Sequence, residues 1–134
     1  MRLAPLLLAL TLTACALSPI DAARLSLGAT VAAYDAAEPR LEAQRVAAGR
    51  VCLEATTPPS VLPVCLSEVR ARWAPVRAAS ERAYRAIVAA LALLHLSEAG
   101  AALGQGVDAA KLGRAISMAI DAARALEAAL EGVP

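Results

Sequence analysis

The chain has 134 residues, which is enough for one domain around one hydrophobic core. Alanine supplies 36 of them, whereas the chain has two Tyr, one Trp and no Phe, a composition that favours helices over β-sheets. The formal net charge is only +1, which argues against a nucleic-acid partner because nucleic-acid-binding proteins usually carry a clear basic excess.

The first fourteen residues have the form of an export signal. Arg2 supplies the positive charge, and residues 3–12 form an apolar run that is too short to cross a bilayer as a helix. The run ends at Leu12-Thr13-Ala14-Cys15, an aliphatic residue followed by two small ones and a cysteine. This tetrapeptide resembles the lipobox of bacterial lipoprotein precursors.

The resemblance implies cleavage between Ala14 and Cys15, a diacylglyceryl group on the Cys15 thiol and a further acyl chain, such as palmitate, on the freed amine. Two or three acyl chains make membrane attachment effectively permanent. Ala16 in place of Asp implies the outer membrane, with the domain facing the periplasm. The alternative is an ordinary secretory signal in which Ala14 happens to precede a cysteine. We therefore predict a signal peptide over 1–14, a tether over 15–20 and a helical domain over 21–134.

Two cysteines remain after Cys15, namely Cys52 and Cys65. An even pair in an exported chain favours a disulfide, here joining the end of one helix to the start of the next across a proline-rich loop. Free thiols are an alternative. A redox pair is disfavoured because the gap of twelve residues is unlike C-x-x-C. No metal site is predicted, because two Cys and one His do not supply four ligands.

The first predicted helix covers about 21–54, with Asp21 as its N-cap. Its apolar positions recur at helical spacing. Pro39 should kink this helix or split it near Glu38. The apolar positions are Leu27, Val31, Tyr34 and Leu41.

The second predicted helix covers about 66–99, with Ser67 as N-cap and Gly100 as the C-terminal signal. Pro75 should bend it or delay its regular part. The run 86–96 is almost wholly apolar, which predicts burial on most sides and is too short for a membrane span. The apolar stripe of this helix is Val69, Trp73, Val76, Ala83, Ile87, Leu91 and Leu94.

The third predicted helix covers about 107–131, with Asp108 near its start and Gly132 after its end. Its apolar positions alternate at spacings of four and three, which is the most regular pattern in the chain. They are Leu112, Ile116, Ala119, Ala123, Leu126 and Leu130. The predicted fold is therefore all-α, a small bundle of three long helices, or four if Pro39 breaks the first, held by one disulfide.

The sequence contains no recognised catalytic motif, and no cofactor is predicted. His95 is the one histidine and lies in an apolar stretch, where a buried or rim histidine with one backbone partner is more common than a general base. Glu38 and Glu42 share a helix face with Arg45, which is typical of solvated charges.

Five arginines on the second helix form a candidate strip for an anionic partner, such as lipid phosphates, lipopolysaccharide or an acidic protein. The alternative is an ordinary solvated helix face that Glu68 and Glu81 partly neutralise. The five are Arg70, Arg72, Arg77, Arg82 and Arg85.

The function expected from these features is that of a non-enzymatic, lipid-anchored envelope protein that binds or positions another envelope component. Such a protein would present an exposed apolar groove between helices. One alternative is a phage or prophage outer-membrane lipoprotein that acts in lysis or exclusion. An envelope hydrolase ranks last because it needs a nucleophile and a base in a polar cleft.

Overall fold

The computed structural model describes residues 17–55, 58 and 60–132. Within these residues the chain forms three helices, α1 (Pro19–Glu54), α2 (Leu62–Ala102) and α3 (Ala109–Glu131). The all-α prediction is confirmed. Ala14 and Cys15 lie outside the described residues.

Helix α1 begins two residues earlier than predicted. The Ser18 side chain is the N-cap, because its Oγ accepts a hydrogen bond of 3.2 Å from the backbone N–H of Asp21. Pro19 occupies the first turn, where no intrahelical N–H is required. The predicted N-cap at Asp21 is therefore wrong.

Pro39 lies inside α1 without ending it. Proline supplies no N–H to the carbonyl four residues earlier, but the helix continues beyond Pro39 to Glu54. The bundle accordingly has three helices and not four.

Helix α2 is longer than predicted at both ends. It begins at Leu62 with Pro63 in its first turn, and Ser67 lies inside it, where its hydroxyl donates to the Val64 carbonyl at 2.7 Å. At the other end the helix passes through Gly100, and Gly104 takes the left-handed conformation with φ 73°. The N–H of Gln105 bonds to the Gly100 carbonyl at 2.9 Å, which closes the helix end.

The apolar run 86–96 of α2 is not buried on most sides. Val88 and Leu96 are exposed, Leu96 by 70%. A helix in a three-helix bundle has only two neighbours, so its outer face stays in solvent even when that face is apolar. By length and composition alone, the whole of α2 is long and apolar enough to cross a membrane. The run 86–96 was too short to predict this.

Helix α3 closely matches its prediction. The Asp108 side chain caps it by accepting from the Lys111 N–H at 2.9 Å, and Gly132 follows its last residue. All six predicted stripe residues are buried. The regular alternation of four and three residues keeps one narrow face towards the other helices.

The core consists of two clusters of buried residues that lie along the bundle. The first joins the start of α1, the end of α2 and the start of α3, and includes Leu27, Leu94 and Leu112. The second lies further along and includes Ala37, Val76, Leu126 and Leu130. Their order along the three helices shows that α2 runs antiparallel to α1 and α3. Tyr34 packs against both clusters.

The disulfide between Cys52 and Cys65 is confirmed, with an S–S distance of 2.00 Å. It joins the last turn of α1 to the first turns of α2. Helix α3 ends well short of this bridge, because its last buried residue, Leu130, packs beside Trp73 and Val76. Residues 42–54 of α1 and 62–72 of α2 therefore extend past the three-helix core as a two-helix segment, here called the distal arm.

Candidate binding groove

A groove of about 630 Å³ lies between α1 and α2 where the distal arm leaves the three-helix core. Five of its lining residues come from each helix. They are Leu41, Glu42, Arg45, Val46 and Gly49 of α1, and Leu66, Val69, Arg70, Trp73 and Arg77 of α2.

The groove lies where the bundle passes from three helices to two. Leu130, in the last turn of α3, belongs to the same cluster as Trp73, and Leu41 and Val69 pack against that cluster. The groove itself is lined by α1 and α2 alone, without a residue of α3. It lies between these two helices at the start of the distal arm.

The floor of the groove is apolar and open to solvent. Val46 is 47% exposed and Leu66 is 37% exposed, although both are large hydrophobic residues. Trp73 is 93% buried, and its indole Nε1 has no hydrogen-bond partner among the described residues. A buried N–H donor without an acceptor is uncommon in proteins. The indole N–H of Trp73 could therefore donate a hydrogen bond to a molecule bound at this end of the groove.

The rim of the groove carries an excess of positive charge. Arg45 binds Glu42 through two hydrogen bonds of 2.9 and 3.1 Å, which raise the pKa of Arg45 above its ordinary value. Arg70 and Arg77 have no ion-pair partner within the described residues. Three arginines against one glutamate leave a net charge of +2 on the rim.

The five arginines of the candidate strip do not lie on one face. Arg70 and Arg77 are seven residues apart and line the groove together. Arg72 projects about 160° away from Arg70 around the helix axis. Arg85 pairs with Glu81 at 3.3 Å, and neither Arg82 nor Arg85 lines the groove.

Sequence reasoning missed the contribution of α1 to this site. Arg45 was interpreted only as part of a solvated set, and its side chain is indeed 60% exposed, yet it faces the same groove as Arg70. The predicted disulfide could have revealed this contribution, because it fixes which residues of α1 lie opposite which residues of α2. In antiparallel helices, pairing residue 52 with residue 65 places residue 45 roughly opposite residue 72, near Arg70.

A second polar cluster ties the start of α1 to the end of α2. Arg24 Nε donates to Glu98 Oε1 at 2.7 Å, and His95 Nδ1 lies 3.4 Å from Glu98 Oε2. The hydrogen bond from Arg24 is the main reason why the pKa of Glu98 is lowered, and the same bond raises the pKa of Arg24. The prediction of a buried or rim His95 with a backbone partner is wrong, because its side chain is 74% exposed and its partner is a carboxylate.

No group of three or more His, Cys, Asp or Glu side chains that could hold a metal ion occurs in the described ranges. No known family model, curated protein or solved structure matches this chain.

Proposed function

We propose that the protein is a lipid-anchored, non-enzymatic interaction protein of the bacterial cell envelope, and that its groove binds an amphipathic helix of another envelope protein. The observation that carries this proposal is the groove between α1 and α2, whose apolar floor is open to solvent at Val46 and Leu66. The partner helix would lie along this floor, between α1 and α2.

The dimensions of the arm suit a short helix. Residues 42–54 of α1 span about 20 Å at 1.5 Å per residue, which corresponds to between three and four helical turns. Leu41, Val46, Leu66 and Val69 offer apolar contacts along one side of that length. A helix with apolar residues at positions i, i+3 or i+4, and i+7 fits such a groove.

The charge on the rim specifies the partner further. Arg70 and Arg77 are free to bind carboxylates, and arginine does so with paired, planar hydrogen bonds. The partner helix should therefore carry Asp or Glu residues beside its apolar stripe. Opposite charge across the groove would also favour this partner over basic helices.

The leader sequence supports the location. Loss of Arg2 with residues 1–14 would leave 13 − 1 = 12 basic and 12 acidic side chains, a neutral mature chain. Neutrality provides little attraction to anionic lipids, so acyl chains on Cys15 would supply the membrane affinity.

Site-specific photo-crosslinking in cells tests the groove. A photoreactive amino acid placed at Val46 or Leu66 should capture one discrete protein, because both residues line the groove and are exposed. The matched control is Met118, which is 67% exposed on α3 and lies away from the groove. The same products from Met118, or none from the groove, would contradict the proposal.

Charge reversal tests the nature of the partner. Arg70→Glu with Arg77→Glu should reduce the crosslink at Val46 more than about tenfold, as expected for lost charge pairs in an interface. Arg72→Glu with Arg82→Glu makes the same change in net charge on the same helix, outside the groove, and should leave the crosslink intact. Cys15→Ala should release the protein from the membrane, while binding to the captured partner after purification stays unchanged.

A further inference from the structure

We infer that the end of the bundle opposite the distal arm is a membrane-contacting surface, so that the lipid-anchored protein stands with its groove pointing away from the bilayer. This inference rests on the proposed lipid anchor at Cys15. It adds an orientation and a contact surface, with Leu17 and Leu103 entering the lipid interface.

The length of chain between the anchor and the first helix limits how far this end can move from the lipid. Pro19, the first residue of α1, follows Cys15 by four residues. Four fully extended residues span at most about 14 Å. The start of α1 therefore lies within that distance of the lipid-bearing residue.

The end of α2 and the start of α3 lie at the same end of the molecule. Arg24, one to two turns into α1, bonds to Glu98 near the end of α2 at 2.7 Å. Ile20 and Val107 pack against the same core cluster. The connection between α2 and α3, residues 103–108, is thus brought to the membrane by the same short tether.

The chemistry of this end suits a lipid interface. Leu103 is 77% exposed and Leu17 is 40% exposed, although both are large hydrophobic residues. Residues 99–107 contain no charged side chain. Among the nearby charges, Arg24 binds Glu98 and Asp108 caps α3. Residues 99–107 would therefore bring no charged side chain out of water when this end meets the membrane.

The opposite end has a different character. It carries the unpaired Arg70 and Arg77 and the disulfide, and α1 with its 36 residues separates the two ends by about 54 Å at 1.5 Å per residue. An upright bundle keeps the groove well clear of the lipid. A bundle lying flat would bring the groove and the exposed Val51 close to the bilayer.

Fluorescence quenching by brominated lipids distinguishes these orientations. The full-length lipidated protein is reconstituted into phosphatidylethanolamine and phosphatidylglycerol vesicles whose acyl chains carry bromine. Trp73, the one native tryptophan, lies at the groove and should keep its emission. Leu103→Trp should add a component that loses about half or more of its intensity. The matched control, Val51→Trp, replaces a residue that is 66% exposed on the distal arm and should stay unquenched.

Each other result overturns the inference. Quenching at both positions 103 and 51 would mean a bundle lying flat, and quenching at neither would mean an end that hangs free of the lipid. Intact-mass measurement of the same sample separates this failure from failure of the anchor. If the chain carries no acyl groups on Cys15, both the lipid anchor and the orientation are contradicted. If the chain is acylated but the emission of Leu103→Trp is not quenched, only the orientation is contradicted.

Discussion

Glu98 joins the end of α2 to the start of α1. Its carboxylate accepts from Arg24 at 2.7 Å and lies 3.4 Å from His95, and its side chain is 25% exposed. Arg24 also lies 3.5 Å from Asp21. The group is thus a small charge network at the surface that ties α1 to α2.

The lowered pKa of Glu98 makes this tie dependent on pH. A carboxyl group with a folded-state pKa below its ordinary value of 4.5 stabilises the fold above that value, and the contribution is lost as the pH falls through the folded-state pKa. We expect Glu98→Gln to lower the free energy of unfolding at pH 7 but to have little effect near pH 3. Urea denaturation at the two pH values measures the difference.

A suitable control for this experiment is Glu127→Gln, because Glu127 has no ion pair within the described residues. That variant should match the original protein at both pH values. A Glu98→Gln defect of equal size at pH 3 and pH 7 would show that packing, and not the charge, is responsible.

Helix caps show how far single residues could be predicted. Ser18 and Asp21 are both good N-cap residues, and the sequence does not by itself say which one accepts the hydrogen bond. Pro19 decides the matter, because proline fits the first turn after a cap. Pro63 likewise lies in the first turn of α2, so Ser67 falls inside that helix. The start of a helix is therefore better predicted when proline is treated as a first-turn residue and not only as a helix breaker.

At the scale of whole helices, α3 was predictable and the outer face of α2 was not. The stripe of α3 is regular and flanked by a polar face, so its burial follows from spacing alone. Helix α2 has apolar residues all round between 86 and 96, so spacing cannot say which side faces the core. The answer depends on how many neighbours the helix has, which is a property of the assembled bundle.

Alanines let the three helices approach closely. Ala83, Ala90 and Ala119 are fully buried at 0% exposure, and protein cores are close-packed, so a larger side chain at these positions must displace its neighbours. We expect Ala90→Leu to destabilise the protein by about 1–3 kcal/mol, the usual cost of overpacking a core. Chemical denaturation measures it. Ala89→Leu, the same substitution one residue earlier on the exposed face, should change stability by less than about 0.5 kcal/mol.

For the whole molecule, the all-α bundle and its disulfide were predictable, whereas the groove was only partly so. The third predicted helix was shorter than the other two, which already implies that one end of the bundle has two helices. Which residues line the groove depends on the rotation of α1 and α2 about their axes. That rotation is set by packing at Trp73 and Val76, and it separates Arg70 and Arg77 from Arg72.

The disulfide should matter most for the distal arm, because α3 does not support that segment. Replacing both Cys52 and Cys65 with Ser should lower the free energy of unfolding by about 3 kcal/mol, the value that chain entropy gives for a loop of this size. Hydrogen exchange should speed up mainly in residues 42–54 and 62–72. A uniform increase that includes α3 would contradict the idea of a separately held arm.

The disulfide and the shared core also couple the lengths of the three helices. The distance from the start of α1 to the groove is set by the three-helix core. Removing two turns, or about seven residues, from each of the three helices would shorten that distance by about 10 Å. A deletion in α1 or α2 alone would move Cys52 out of register with Cys65. A change in this distance therefore requires matched changes in all three helices.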